Sequence, residues 1–242
     1  MSAPADPANP GKSGAAGTEE AELRARQCGR PGGDEYVRGK LLMARGRFAE
    51  MAPLFAAAVA LGNVSAMNDL AFYHHQVTKQ PKEADALYQK AADAGSAQAA
   101  FNLGHLRSEQ GDSARALAAF ARAAELGHAD ADWCMAVTHE AAGALDKAEP
   151  HFKAAAARGN AKAACALGDC LLARGKTAEA KAQYRAALAA GHQLAHAHLT
   201  SNAAEIGLTA AERADADAAF DRLLFGGGGD HIHIMVGAPV RT

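Results

Sequence analysis

Aromatic residues are scarce in this chain: they make up 5% of its 242 residues, with one tryptophan. Apolar residues still reach 49%, so alanine carries much of the apolar share. Alanine-rich helices pack closely but bury little area each, and stability must then be gathered from many small interfaces. Long apolar runs are missing too. None approaches the roughly 18 residues that a bilayer span needs, so no membrane partner is expected. Neither sign of charge dominates. Lysine and arginine number 25 against 27 aspartates and glutamates, for a net charge of −2, and no basic run occurs. The electrostatic footprint of a nucleic-acid binder is lacking.

Cysteine is sparse as well: Cys28, Cys134, Cys165 and Cys170. Cys165 and Cys170 are five residues apart on one expected helix, roughly 140° around its axis. That suits neither a disulfide nor a metal site. All four read as small buried residues in a reducing compartment. No G-x-S-x-G, G-x-x-x-x-G-K, G-x-G-x-x-G or H-E-x-x-H motif occurs, so no catalytic residue is assigned and no cofactor is expected. The first 30 residues hold no apolar stretch of the export-signal kind, and a cytoplasmic location is the expectation.

What the chain does have is a period. Gly62, Gly95, Gly127, Gly159 and Gly191 close similar segments at spacings of 33, 32, 32 and 32 residues. Gly46, Gly111, Gly143, Gly175 and Gly207 lie about halfway between; the second repeat has Lys79-Gln80-Pro81 instead of a middle glycine. Glycine just past a helix end closes the last turn in the left-handed conformation. Two glycines per repeat leave two helices of about 14 residues, near the usual globular length. Asn63, Ser96, His128, Asn160 and His192 follow the long-period glycines, and Asn and Ser are good N-caps while His is a poor one. Asp112, Thr177 and Thr209 read as caps after middle glycines, Thr209 to Glu212 as a capping box, and Pro81 as a first helical residue.

Counted from the long-period glycine, position +4 is always alanine (Ala66, Ala99, Ala131, Ala163, Ala195). Position +8 is Leu70, Leu103, Met135, Leu167 and Leu199, and position +9 is Ala71, Gly104, Ala136, Gly168 and Thr200. The first two share a helix face; the small +9 residues let a neighbouring helix come close. In the second helix an aromatic recurs seven residues before the closing glycine: Phe55, Tyr88, Phe120, Phe152 and Tyr184. Alanine recurs four residues earlier still, at Ala84, Ala116, Ala148 and Ala180.

The stretches Ala99-Ala-Phe-Asn-Leu-Gly104 and Ala116-Leu-Ala-Ala-Phe-Ala-Arg-Ala-Ala124, followed by Gly127, resemble the two helix signatures of the Sel1-like subclass of tetratricopeptide-type repeats. The resemblance covers about residues 34–207. It departs from the usual pattern in a shorter turn between helices and in the missing aromatic at +12, where His74, Arg107, His139, Leu171 and Ala203 stand. It implies an all-α chain, an α-solenoid of helix-turn-helix repeats in a right-handed superhelix, which binds proteins and performs no chemistry.

The organisation expected is a disordered tail over 1–30 and about six repeats over 31–62, 63–95, 96–127, 128–159, 160–191 and 192–225. A glycine-rich break and a second tail follow at 226–242, where His231-Ile-His-Ile-Met-Val236 alternates like a strand. The first helix of the chain reads as degraded, with Asp34 and Arg38 at core positions. Pro53 and Pro150 lie inside second helices and read as kinks tolerated on the outer face. In the last repeat Phe220 stands one turn later than its counterparts.

The face opposite the core holds positions +3, +6, +10 and +13. From it Phe72, Phe101, His105, Trp133 and Asp169 are taken as candidate contacts to a protein or peptide partner on the concave side. An aromatic at +6 also serves simply to pack its neighbour, and for Phe101 and Trp133 both readings stand. His192 and His196 have the i, i+4 spacing of metal ligands, but His198 points elsewhere and no cysteine or carboxylate is evidently placed with them. No metal site is assigned. The leading expectation is a monomeric, non-catalytic scaffold or adaptor. The alternatives are a chaperone for an extended client segment, and a metal protein or enzyme using the histidines.

Overall fold

A computed structural model describes residues 23–24 and 27–225. Among them there are twelve α-helices and no strand. They pair in chain order. The pairs are α1 (Gly33–Ala44) with α2 (Phe48–Ala60), α3 (Val64–Gln76) with α4 (Pro81–Asp93), and α5 (Ala97–Glu109) with α6 (Ser113–Glu125). Next in order are α7 (Ala131–Ala141) and α8 (Leu145–Ala157), followed by the pairs α9 (Ala161–Ala173) with α10 (Thr177–Ala189) and α11 (Leu194–Ser201) with α12 (Ala210–Phe225). The helices form two compact units, one ending at Thr138 within α7 and the other beginning at His139.

The recurring positions form the core. All five +4 alanines are fully buried, and so are Ala84, Ala116, Ala148 and Ala180 of the second helices. The aromatics Phe55, Tyr88, Phe120, Phe152 and Tyr184 are the largest buried side chains, each contributing roughly 2–3 kcal/mol of apolar transfer energy. The small residues opposite them have a steric cause. A Cβ on Gly104 would collide with the Phe120 ring, one on Gly168 with Tyr184, and one on Gly39 with Phe55.

Helix ends follow from the caps. Asn63, Ser96 and Asn160 accept from the amides of Ala66, Ala99 and Ala163 at 2.9, 3.2 and 3.0 Å. These helices run their full 13 residues. His128 Nδ1 accepts instead from the Asp130 amide at 3.3 Å, and α7 starts only at Ala131 and has 11 residues; α11 has no side-chain cap, starts at Leu194 and has eight. At the other end the closing glycines take positive φ, and the Gly62 turn is representative: Gly62 N–H donates to Val59 and Asn63 N–H to Ala58. Where the second repeat lacks a middle glycine, Lys79 takes the left-handed conformation itself, with φ 54°. Pro81 opens α4 as expected. Pro53 and Pro150 both sit inside their helices with exposed side chains.

Several details differ from the sequence reading. Thr177 is the first residue of α10 and not its cap; Lys176 holds the cap position, one residue after Gly175 as Asp112 is after Gly111. Asp34 and Arg38 are exposed, because α1 turns Gly33, Tyr36, Val37 and Gly39 inward. Ordered packing begins within the stretch read as tail: Leu23 packs on the core of the first pair, and Gln27 is buried, accepting from Asn63 at 3.2 Å. The rest of residues 1–30, apart from 23–24 and 27–30, lies outside the described residues, as do 226–242 with the expected strand. In the last pair Ala216 occupies the buried place of the aromatic, and Phe220 stacks instead on His196 with ring centroids 4.3 Å apart.

Candidate functional site

Within each unit adjacent first helices meet along seams, and the candidate residues lie on these seams. In the first unit Tyr36 and Lys40 of α1 both donate to Asp69 of α3, at 2.9 and 3.0 Å. Between α3 and α5, Asn102 donates to Asn68 at 3.0 Å and His75 pairs with Glu109 at 2.8 Å. Between α5 and α7, His105 Nε2 lies 3.8 Å from Cys134 Sγ. At this last seam position +10 of one repeat faces position +7 of the next, whereas at the α3–α5 seam the amide pair joins +6 to +7.

Phe72 is 52% exposed, and its neighbour one turn back is the amide of Asn68. Phe101 is half-buried. It stacks flat on His128, with centroids 3.9 Å apart, and tilts against Phe120 at 5.8 Å. Most of its contacts are packing contacts. His105 meets the Phe101 and Phe120 rings edge-on at 4.6 and 5.3 Å, and the residue remains exposed. Trp133 is half-buried. Position +6 thus packs between helices, whereas Phe72 and His105 at +10 face solvent.

Burial pushes the His105 and His128 pKa values down, so both imidazoles are neutral near pH 7. Burial also pushes the Cys134 thiol up to about 11, with Asp130 adding to the effect. A thiol held protonated in this way is a poor nucleophile. Beneath the α3–α5 seam, the buried Tyr88 hydroxyl has no hydrogen-bond partner among the described residues, and its ring meets His75 nearly at right angles with centroids 6.5 Å apart.

Asp169, the fifth candidate, belongs to the second unit. It accepts from the Tyr184 hydroxyl at 2.7 Å, and its Oδ1 lies 2.8 Å from His198 Nδ1. Cys165, one turn before it on α9, completes a cluster whose donor atoms all lie within 4.8 Å of one another. Single-helix reasoning missed His198, Cys165 and Tyr184. Their signal is the +10 to +7 relation between consecutive repeats, which pairs Asp169 with His198.

The histidine pair read from spacing does not assemble. His192 precedes α11, because the helix starts late, and His196 pairs with Asp217 at 2.6 Å. The cysteines divide: Cys165 and Cys170 are buried as expected, Cys134 is half-buried and Cys28 is exposed. A hollow of about 270 Å³ lies in the second unit between α8, α9 and α10; alanines, Lys153 and Gln183 line it, and none of the candidate residues does. Among the described residues no helix is long and apolar enough to cross a membrane.

No family model matches the chain, and no curated protein matches it in sequence. Solved structures do. A Sel1 repeat protein from Oxalobacter formigenes superposes with a TM-score of 0.60 at 17% identity, over 90% of this chain and 98% of that one. MamA matches with a TM-score of 0.55 at 22% identity, over 65% of this chain and 96% of its own. YrrB, a tetratricopeptide repeat protein with an unusual peptide-binding site, matches with a TM-score of 0.52 at 20% identity, over 70% of this chain and 90% of its own. With the recurring +4 alanines and second-helix aromatics buried and these structures superposing on it, the chain has the helical-repeat fold of the Sel1-like and tetratricopeptide type.

Proposed function

We propose that this chain is a non-catalytic interaction module that holds an extended segment of a partner protein across the first-helix face of its first unit. The observation that carries this reading is Phe72, an aromatic ring 52% exposed, one helical turn after Asn68, whose side-chain amide pairs with that of Asn102 in the next repeat. An exposed ring costs free energy in water, while amides beside it supply the donors and acceptors that a peptide backbone needs. The exposed His105 and the half-buried Trp133 extend the same face, and Trp is enriched among residues that dominate binding energy. The fold supports the reading: YrrB, which shares it, has a peptide-binding site.

The test is affinity capture of partners at native expression levels, with captured proteins identified by mass spectrometry. Wild type is compared with Phe72→Ser and Trp133→Ala proteins of matching thermal midpoint. A partner held by wild type and weakened roughly tenfold or more by both changes supports the proposal. A partner held equally by all three overturns it.

A further inference from the structure

The seam position described above recurs with different chemistry in each repeat. Between α3 and α5 it holds Asn68, Phe72 and Asn102; between α5 and α7 it holds Phe101, His105 and Cys134. Between α9 and α11, within the second unit, it holds Cys165, Asp169 and His198. Of these three places only the last brings together a sulfur, a carboxylate oxygen and an imidazole nitrogen, all within 4.8 Å of one another.

We propose that Cys165, Asp169 and His198 form a binding site for a borderline transition-metal ion, zinc before others. Three features of the geometry support it. First, in a tetrahedral site with metal–ligand distances of about 2.0–2.3 Å, neighbouring donors stand about 3.3–3.8 Å apart, so the cluster needs adjustments of only about an ångström. Second, the donor set is selective. A thiolate with an imidazole and a carboxylate suits zinc, whereas calcium and magnesium take oxygen ligands. Third, the carboxylate is already oriented. Tyr184, rising from the buried core of α10, donates to Asp169 Oδ1 at 2.7 Å, the kind of supporting hydrogen bond that aims a metal ligand. His198 Nδ1 meets the same oxygen at 2.8 Å, so a cation enters by replacing the proton between them.

The surroundings lean the same way. Glu140, at the end of α7, is close enough to Asp169 for the two negative charges to push the Glu140 pKa up, after burial itself. A divalent ion relieves that repulsion. Opposing binding is the Cys165 thiol, which burial first and then Asp169 push up to about 11. The ion must displace that proton, as metals do at other cysteine sites. The remaining coordination position is left to solvent. The proposal is independent of partner binding on the first unit.

The full chain, purified metal-free, is titrated with zinc chloride by calorimetry and with cobalt chloride by absorbance. One zinc per chain is expected, with a thiolate-to-cobalt charge-transfer band in the near ultraviolet. Asp169→Asn and His198→Gln weaken zinc binding by about a hundredfold or more, and Cys165→Ser abolishes the cobalt band. His196→Gln and Cys134→Ser leave both signals intact. The cobalt spectrum of the wild-type chain is read first, so a variant that fails to fold does not stall the test. No zinc heat, no thiolate band in the wild type, or a band lost with Cys134 and kept without Cys165 would each overturn the site.

Discussion

Gly104 shows what one hydrogen atom in place of a methyl does in this chain. Phe120 packs so closely over it that any side chain at 104 meets the ring. Gly104→Ala gains about 1 kcal/mol of helix propensity. The collision costs more, about 1–3 kcal/mol for overpacking. The expected net is a loss of up to about 2 kcal/mol in guanidinium denaturation, because the ring cannot move without opening the α5–α6 contact. A stabilised variant would show that the pair has slack. The glycine was legible in the sequence as a small residue opposite an aromatic, since both recur at fixed places in the period. The Asp169–His198 contact was not. It depends on how far one repeat is staggered against the next, and a helical wheel drawn for a single helix carries no such information.

At the scale of elements, capping sets helix length. Asn63, Ser96 and Asn160 start their helices on time, and His192 does not. His192→Asn should therefore extend α11 toward residue 193 and stabilise the chain by about 0.5–1 kcal/mol, measured by denaturation together with a gain in helical circular dichroism. Unchanged helicity would mean that packing, and not the cap, sets the start of α11. The same late start explains why the i, i+4 histidine pair failed to form a site: the spacing presumed a helix that had not yet begun.

One carboxylate, Glu212, ties the start of the last helix to α10. Glu212 caps the Thr209 amide at 2.9 Å and pairs with Lys181 at 3.1 Å and Arg185 at 3.2 Å. The Thr209 backbone first, and Lys181 after it, hold the Glu212 pKa down to about 2 from an ordinary 4.5. A depressed folded-state pKa means the folded chain binds fewer protons there. The anchor's stability is then fully present above about pH 4.5 and is lost as pH falls toward 2. Across that window the thermal midpoint should fall less for Glu212→Gln than for wild type; parallel curves would remove Glu212 as the cause.

For the whole molecule, each helix pair buries itself only on its neighbours, so local stability should follow local burial. The pair α11–α12 is the thinnest: α11 has eight residues, and α12 buries only Ala216 among its 16. Native-state hydrogen exchange should find this pair opening at the lowest free energy and the α3–α6 amides among the best protected. Uniform protection would indicate a single cooperative unit. The sequence anticipated the drift of this last repeat, but it took the late Phe220 for a displaced core residue. Alanine at 216 fills the buried place instead, and the phenylalanine covers a histidine.

The seams between first helices are interchangeable sockets on a common frame. Their floor is an aromatic from the second helix, and their rim is three side chains that the backbone does not need. Amides and an aromatic occupy one socket, two rings and a thiol another, and sulfur, carboxylate and imidazole a third. New chemistry can thus enter this architecture one repeat at a time, by changes of side chain alone, while the glycine turns and alanine ridges beneath stay as they are.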